Sequence, residues 1–244
     1  MLSVEGVTRR FGGLVAVDAA SLAVPPRSIT AVIGPNGAGK TTLFSLISGF
    51  LKPSAGTIRF SGEDVTGEPP HRLAARGVAR TFQVVQPFAG LTVRDNIAVG
   101  AHLRHPGRAG ALAAAEAVAR EVGLDGMLDR PAETLTVAGR KRLELARALA
   151  TVPRLLLLDE VLAGLNPSEI RDVLPLIRGL RDRGITIVMV EHVMQAVMSL
   201  AEQVFVLAEG RVIAAGTPRE VAAAPVVIEA YLGRGAAAKL GAAP

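Results

Sequence analysis

Cysteine is absent from the 244 residues, which excludes disulfides and thiolate metal sites and suits a reducing compartment. Tryptophan is also absent, tyrosine occurs once, and aromatics make up 3% of the chain. A core must therefore be built from Ala, Val, Leu and Ile, which a hydrophobic content of 50% permits. Base stacking on aromatic platforms has little to draw on. The net charge of +5 is carried mostly by scattered arginines, with no run of five like charges. That pattern reads as a solvated basic surface and gives no nucleic-acid partner. No apolar stretch approaches the roughly 18–20 residues of a membrane span. Met1-Leu2-Ser3-Val4-Glu5 leads straight into a strand-like segment, so no signal peptide is expected. If the chain works at a membrane, partner chains supply the span. The length fits one large α/β domain or two small lobes.

What is present centres on Gly34-Pro35-Asn36-Gly37-Ala38-Gly39-Lys40-Thr41-Thr42, which fits G-x-x-x-x-G-K-[ST], the Walker A phosphate loop. Glycines allow backbone conformations that a Cβ would block, so successive N–H groups can turn inward onto phosphate oxygens. Asn36, Gly37, Ala38, Gly39 and Thr42 belong to that cradle. Lys40 reaches the β- and γ-phosphates as a point charge, and the Thr41 hydroxyl is placed to ligate Mg²⁺. Context supports the motif. Ile29-Thr30-Ala31-Val32-Ile33 before it reads as a buried strand. Leu43, Phe44, Leu46 and Ile47 after it have helical spacing.

Three further apolar runs, at 155–158, 185–190 and 204–207, have the character of strands covered on both faces of a parallel sheet. Helical patterns over 167–183 and 193–201 separate them, which argues a parallel α/β layer. Residues 2–8, 14–24 and 56–61 suggest a small antiparallel β-region. Residues 92–150 read as mostly helical, with the Ala-rich stretch 109–122 the clearest helix. The Ala/Gly-rich end from residue 233 is expected to fray.

The run 155–158 ends in Asp159 and Glu160, a Walker B reading: Asp159 for the Mg²⁺ shell, Glu160 to polarise the attacking water as general base. His192 follows the strand 185–190 at the edge where parallel sheets bind ligands. Gln83 lies in Arg80-Thr81-Phe82-Gln83, just ahead of the helical region, and composition alone gives it no role.

Together these residues resemble the nucleotide-binding subunit of an ABC (ATP-binding cassette) transporter, over residues 2 to 233. The resemblance implies an α/β P-loop NTPase (ABC ATPase) core with a small antiparallel β-region and an inserted helical lobe. The RecA-like core would span about 1–91 and 151–233, the lobe about 92–150, and 234–244 a flexible tail. It implies that Phe11 stacks on adenine with Val17 beside it. Gln83 would touch Mg²⁺ and couple to the membrane subunits, Asp159 would hold the metal, Glu160 would be the catalytic carboxylate, and His192 would contact the γ-phosphate. Asn166 falls in the loop that crosses the dimer interface, where an Asp is usual. The family's signature L-S-G-G-Q aligns with Leu135-Thr136-Val137-Ala138-Gly139. Thr136 keeps a hydroxyl, Ala138 replaces a Gly, and Gly139 removes the Gln side chain. Thr136, Ala138 and Gly139 would face ATP held by the opposite subunit, and the departures predict unequal sites if the partner is a different cassette.

Phe11-Gly12-Gly13-Leu14-Val15-Ala16-Val17, Ala163-Gly164-Leu165-Asn166-Pro167, Val190-Glu191-His192 and Glu229-Ala230-Tyr231-Leu232-Gly233 look like the ATPases of branched-chain amino-acid importers. The resemblance thus implies ATP and Mg²⁺, a second ABC ATPase subunit, two permeases, and indirectly a substrate-binding protein. The chain would sit on the cytoplasmic face of the membrane, with a groove near residues 83–90 receiving a permease helix. Substrate is not legible, since the ATPase never touches the cargo. The alternatives are the ATPase of a lipid or lipopolysaccharide exporter, or a soluble ABC protein of DNA repair or translation. The latter usually needs a long coiled-coil insertion or two cassettes. A GTPase reading lacks the N-K-x-D motif.

Overall fold

Burial patterns along the strands divide the chain into two sheets. The computed structural model describes residues 1–83 and 86–232. Strands β1 (Leu2–Phe11), β2 (Leu14–Val24), β4 (Ala55–Phe60) and β5 (Glu63–Asp64) pair antiparallel in the order β2-β1-β4-β5. Alternation puts Leu2, Val4, Val17, Leu22, Ile58 and Phe60 on the inner face. By contrast, β3 (Ile29–Ile33), β7 (Leu155–Asp159) and β8 (Thr186–Val190) are buried at every residue. With β6 (Val78–Arg80), β9 (Gln203–Ala208) and β10 (Arg211–Gly216) they form a six-stranded sheet ordered β10-β9-β3-β8-β7-β6. All of its pairings are parallel except that of β10 on β9.

The pleat of this sheet feeds two cores. Val32, Leu155, Leu157, Val188 and Leu207 face the antiparallel sheet and α1 (Lys40–Ile47), where Leu43, Phe44 and Ile47 bury. Ala31, Leu156, Leu158, Ile187, Met189 and Val206 face the opposite way, into a core shared with the remaining large helices. In chain order the remaining helices are α2 (Pro70–Arg76), α3 (Val93–Ala101), α4 (Arg108–Val122), α5 (Val137–Leu149), α6 (Pro167–Asp182), α7 (Met194–Leu200), α8 (Pro218–Ala223) and α9 (Pro225–Leu232). Side-chain caps fix several starts. The Thr92 hydroxyl accepts from Asp95 N, and Asn166 with Glu169 forms a capping box on α6. The Asn where the family usually has Asp is thus a helix cap here. Ala111, Ala115 and Ala119 bury one face of α4, and small side chains let it pack closely against its neighbours.

Strand register brings three loops level. Val32 pairs with Val190, and Val190 pairs with Asp159. The strands β3, β7 and β8 therefore end together at one edge, where β3 separates β9 from β8 and the strand order reverses. The expected strands and helices stand within one or two residues of their predicted bounds, except β1, which runs three residues past its expected end to Phe11. Three-residue β6, the edge strand β10 and helices α2, α8 and α9 were not foreseen: each is short, and the strands are held by a neighbour rather than by a period of their own. Among the described residues no helix is long and apolar enough to cross a membrane. The tail expected over 234–244, with Gly233, lies outside the described residues, as do Val84 and Val85.

Candidate functional site

The loop after β3 wraps the N-terminus of α1. Gly34 and Gly39 adopt φ of 151° and 100°. A Cβ would meet Leu207 O at 2.0 Å on Gly34 and Ala16 O at 2.4 Å on Gly39, so both positions require glycine. No side chain caps α1, which leaves its first N–H groups for an anion. Lys40 is 6% exposed, and its ammonium donates to Gly34 O at 2.8 Å and Pro35 O at 2.9 Å. Burial lowers its pKa, while the charges of Glu160 and Asp159 raise it in part. A cleft of about 490 Å³ opens here, lined by Asn36, Gly37, Ala38, Gly39, Lys40, Thr41 and Thr42 and by Gln83, Glu160 and His192.

Glu160 joins the far wall. It takes φ 48°, an uncommon left-handed conformation for a residue with a side chain. Its carboxylate accepts from Gln83 Nε2 at 2.6 Å and lies 2.9 Å from His192 Nε2. Asp159, 1% exposed, takes a bond from Arg80 at 2.8 Å through Oδ2, whereas its buried Oδ1 has no hydrogen-bond partner among the described residues. Arg80 also donates to the Ser45 and Ser48 hydroxyls.

Behind these residues lies a set of buried charges that the sequence reading did not assign. Lys141 donates to Gln83 O and Glu160 O. Glu191 is 2% exposed and accepts from Leu162 N at 3.0 Å; burial pushes its carboxyl up to about 7. Burial likewise raises Glu144, which accepts from Arg147 at 2.8 Å. The available signal was Lys141 and Glu144 standing i, i+3 among the apolar residues of α5.

Of the residues expected on this chain's own cleft, most converge there, while Val17, Phe11 and the buried Asp159 do not line it. Val17 is fully buried beneath the loop, because the alternation of β2 turns its side chain into the core; Leu14, Val15 and Ala16 line the cleft instead. Phe11 is 43% exposed and does not line it, and the Arg9 guanidinium lies 4.6 Å from its ring centroid. Thr136, Ala138 and Gly139 open α5 away from this cleft, with the Thr136 hydroxyl accepting from Gly139 N at 3.1 Å. A Cβ on Gly139 would sit 3.2 Å from the Leu135 side chain, so a larger residue there needs a small outward shift.

A second groove, about 250 Å³ and largely apolar, lies on another face. Its lining includes Phe50, Phe82, Val99, Arg147 and Ala148, and Arg147 also donates to Gln86 O, within the segment 83–90. Phe50 and Phe82 pack edge to face at 5.5 Å, and the Arg147 guanidinium covers the Phe88 ring at 4.4 Å.

The oxygen set of Thr41, Gln83 and Asp159 suits a hard cation such as Mg²⁺, and the unpartnered Asp159 Oδ1 is the observation that fits one. Among the described residues no cluster of three His, Cys, Asp or Glu side chains could hold a metal alone. Mg²⁺ here would depend on a ligand's phosphates for the rest of its shell.

A model of the ABC transporter family matches residues 17–163, and one described as branched-chain amino acid ATP-binding cassette transporter matches residues 211–237. The chain is 42% identical to the high-affinity branched-chain amino acid transport ATP-binding protein BraF of Pseudomonas aeruginosa, over 96% of this chain and 98% of BraF. It is 40% identical to LivG of Escherichia coli, of the same description, over 96% and 98%. A crystal structure of a nucleotide-free ATP-binding cassette from an ABC transporter superposes with a TM-score of 0.88 at 30% identity, covering 96% of this chain and 99% of that one.

Proposed function

The chain belongs to the ABC transporter ATP-binding family, and we propose that it is the ATP-hydrolysing motor subunit of an importer for branched-chain amino acids or a related small polar solute. The observation that carries the ATPase half is the cleft in which the phosphate loop, Glu160 and His192 face one another. The importer half rests on the likeness to BraF and LivG and on the match over 211–237, which favours import over lipid export.

In this reading the uncapped start of α1 and the Lys40 ammonium hold the phosphates of ATP. Glu160 takes the proton of the attacking water. Gln83 and His192, both bonded to the Glu160 carboxylate, fix its orientation and meet the water and the γ-phosphate. Thr41, Gln83 and Asp159 would hold Mg²⁺, which supplies charge neutralisation of the phosphates. Thr136 and the backbone of Ala138 and Gly139 would complete the site of a second cassette. Phe11 would reach adenine only with its free face, since Arg9 covers the other.

The groove at Phe50, Phe82 and Val99 would take a short helix of a permease, holding the chain at the cytoplasmic face of the membrane. Two permeases, a second cassette and a solute-binding protein complete the machine. Its test is reconstitution with those partners in proteoliposomes. Leucine-loaded binding protein should raise ATP turnover several-fold, and cysteines placed at Phe50 or Val99 should crosslink to permease loops. Turnover indifferent to every branched-chain amino acid and related amide, or crosslinks that never reach a permease, would overturn the importer reading.

A further inference from the structure

Lys141 is a long, strongly hydrated cation that almost never buries unless it is paired, yet it is 8% exposed. It stands on α5, five residues beyond the Thr136 cap, inside the apolar stripe formed by Leu143, Leu145 and Ala148. Four carboxylates act on it through their fields, Glu191 most strongly, then Glu160, Asp159 and Glu144. Its hydrogen bonds nevertheless go to main-chain oxygens, Gln83 O at 3.1 Å and Glu160 O at 3.0 Å.

Both acceptors belong to residues whose side chains meet over the cleft, where Gln83 Nε2 donates to Glu160. Glu160 is also the residue held at φ 48°. A conformation of that kind is strained and persists only where its surroundings enforce it. Three hydrogen bonds enforce it here: Glu160 N donates to Val190 O, and Glu160 O accepts from Ala163 N and from Lys141. The Val190 bond comes from the neighbouring strand β8 and the Ala163 bond from the loop itself, whereas the Lys141 bond comes from α5, whose first residues are the degenerate signature. Beside it Glu191 holds Leu162 N, fixing the loop that follows Glu160.

We propose that Lys141 is a positioning residue for hydrolysis: it ties the backbone of Gln83 to that of Glu160 from α5, so that the carboxylate and the amide over the phosphate loop are aimed only while α5 is seated. This goes beyond the ATPase reading and rests on the assignment of Glu160 as the base. A signature loop that engages ATP across a dimer would thereby report to its own chain's Glu160, through one turn of helix and one side chain.

The test uses the full chain in the assembled transporter and compares wild type with Lys141→Met, which keeps the length and removes the donors. Turnover number, KM for Mg²⁺-ATP and affinity for a non-hydrolysable nucleotide are measured together. A misaimed base lowers kcat about 10- to 100-fold, while KM and nucleotide affinity stay within about threefold, because the phosphate loop is untouched. A kcat within twofold of wild type overturns the proposal, as does a loss of nucleotide affinity equal to the loss of kcat. Should Lys141→Met fail to fold, Lys141→Leu, which also removes the donors, is read by the same criteria. Glu160→Gln runs alongside. Normal turnover there defeats the base assignment, whereas an inactive Glu160→Gln beside a normal Lys141→Met defeats the positioning role alone.

Discussion

Glu160→Gln is expected to leave ATP bound and to cut turnover by about 10²-fold or more, the share that a positioned general base contributes. The substitution is close to isosteric. Glu160 is 14% exposed through its side chain, and its two carboxylate oxygens meet Gln83 and His192. An amide in that place can still accept one of those bonds but no longer accepts a proton from water. The phosphate loop, 120 residues earlier in the chain, keeps Lys40 and the open start of α1, so affinity should hold. ATP that binds and is not hydrolysed should accumulate a nucleotide-bound dimer, visible as an earlier peak on a sizing column. Turnover near the wild-type rate would remove Glu160 from the role of base. Where the partner is a different cassette, the effect should be unequal. The site built from this chain's Lys40 and Glu160 draws its signature loop from the partner, whereas the partner's ATP meets Thr136, Ala138 and Gly139. Glu160→Gln here should then stop transport more completely than the matching change in the partner, and equal losses from the two single mutants would exclude that asymmetry.

How far the sequence revealed this site depends on the range of the forces involved. The Walker A segment was legible because each position answers to a local demand. Gly34 and Gly39 are required by backbone contacts at 2.0 and 2.4 Å, and the strand before and helix after show their own periods. The buried strands 155–158 and 185–190 were legible because unbroken apolar runs have few other homes. Glu160 and His192 followed from the ends of those strands, and strand register brought them together. Val17 was misplaced because a motif position was carried over without following the pleat: in β2 it is an inward residue. The apolar groove at Phe50, Phe82 and Val99 was not legible, because its walls come from β6, α3 and α5, which are separated along the chain. Lys141, Glu144 and Glu191 escaped notice because a charge in a helix or after a strand normally reads as a solvated face. Contacts between segments far apart in the chain surround Lys141, with Gln83 and Glu160, and Glu191, with Leu162, and the α5 carboxylate Glu144 lies beside Arg147.

Lys40→Ala should abolish measurable nucleotide binding. The Lys40 ammonium is already committed to the loop through Gly34 O and Pro35 O, so the cation is held inside the loop before any ligand arrives. Hydrogen bonds to charged groups contribute about 1.5–3 kcal/mol each. Losing two such contacts to the β- and γ-phosphates weakens binding by about 10²- to 10⁴-fold. Alanine also leaves the Gly34 and Pro35 carbonyls without the ammonium that bonds them. A calorimetric titration of the full chain against Mg²⁺-ATP measures this directly, and unchanged affinity would overturn the phosphate-loop assignment. Acidity gives an independent check on the same side chain. Burial lowers the Lys40 pKa, and the Glu160 and Asp159 charges offset part of that. A polyanion selects the ammonium form, so the pKa rises when ATP binds. Above the lowered value of the free protein, binding must therefore take up a proton, and wild-type affinity should fall as pH increases through that range. Titrations in buffers of different ionisation enthalpy register this uptake as a buffer-dependent heat. A chain whose ATP affinity stays flat at alkaline pH, with no proton uptake, would show that Lys40 does not carry its charge to the phosphates.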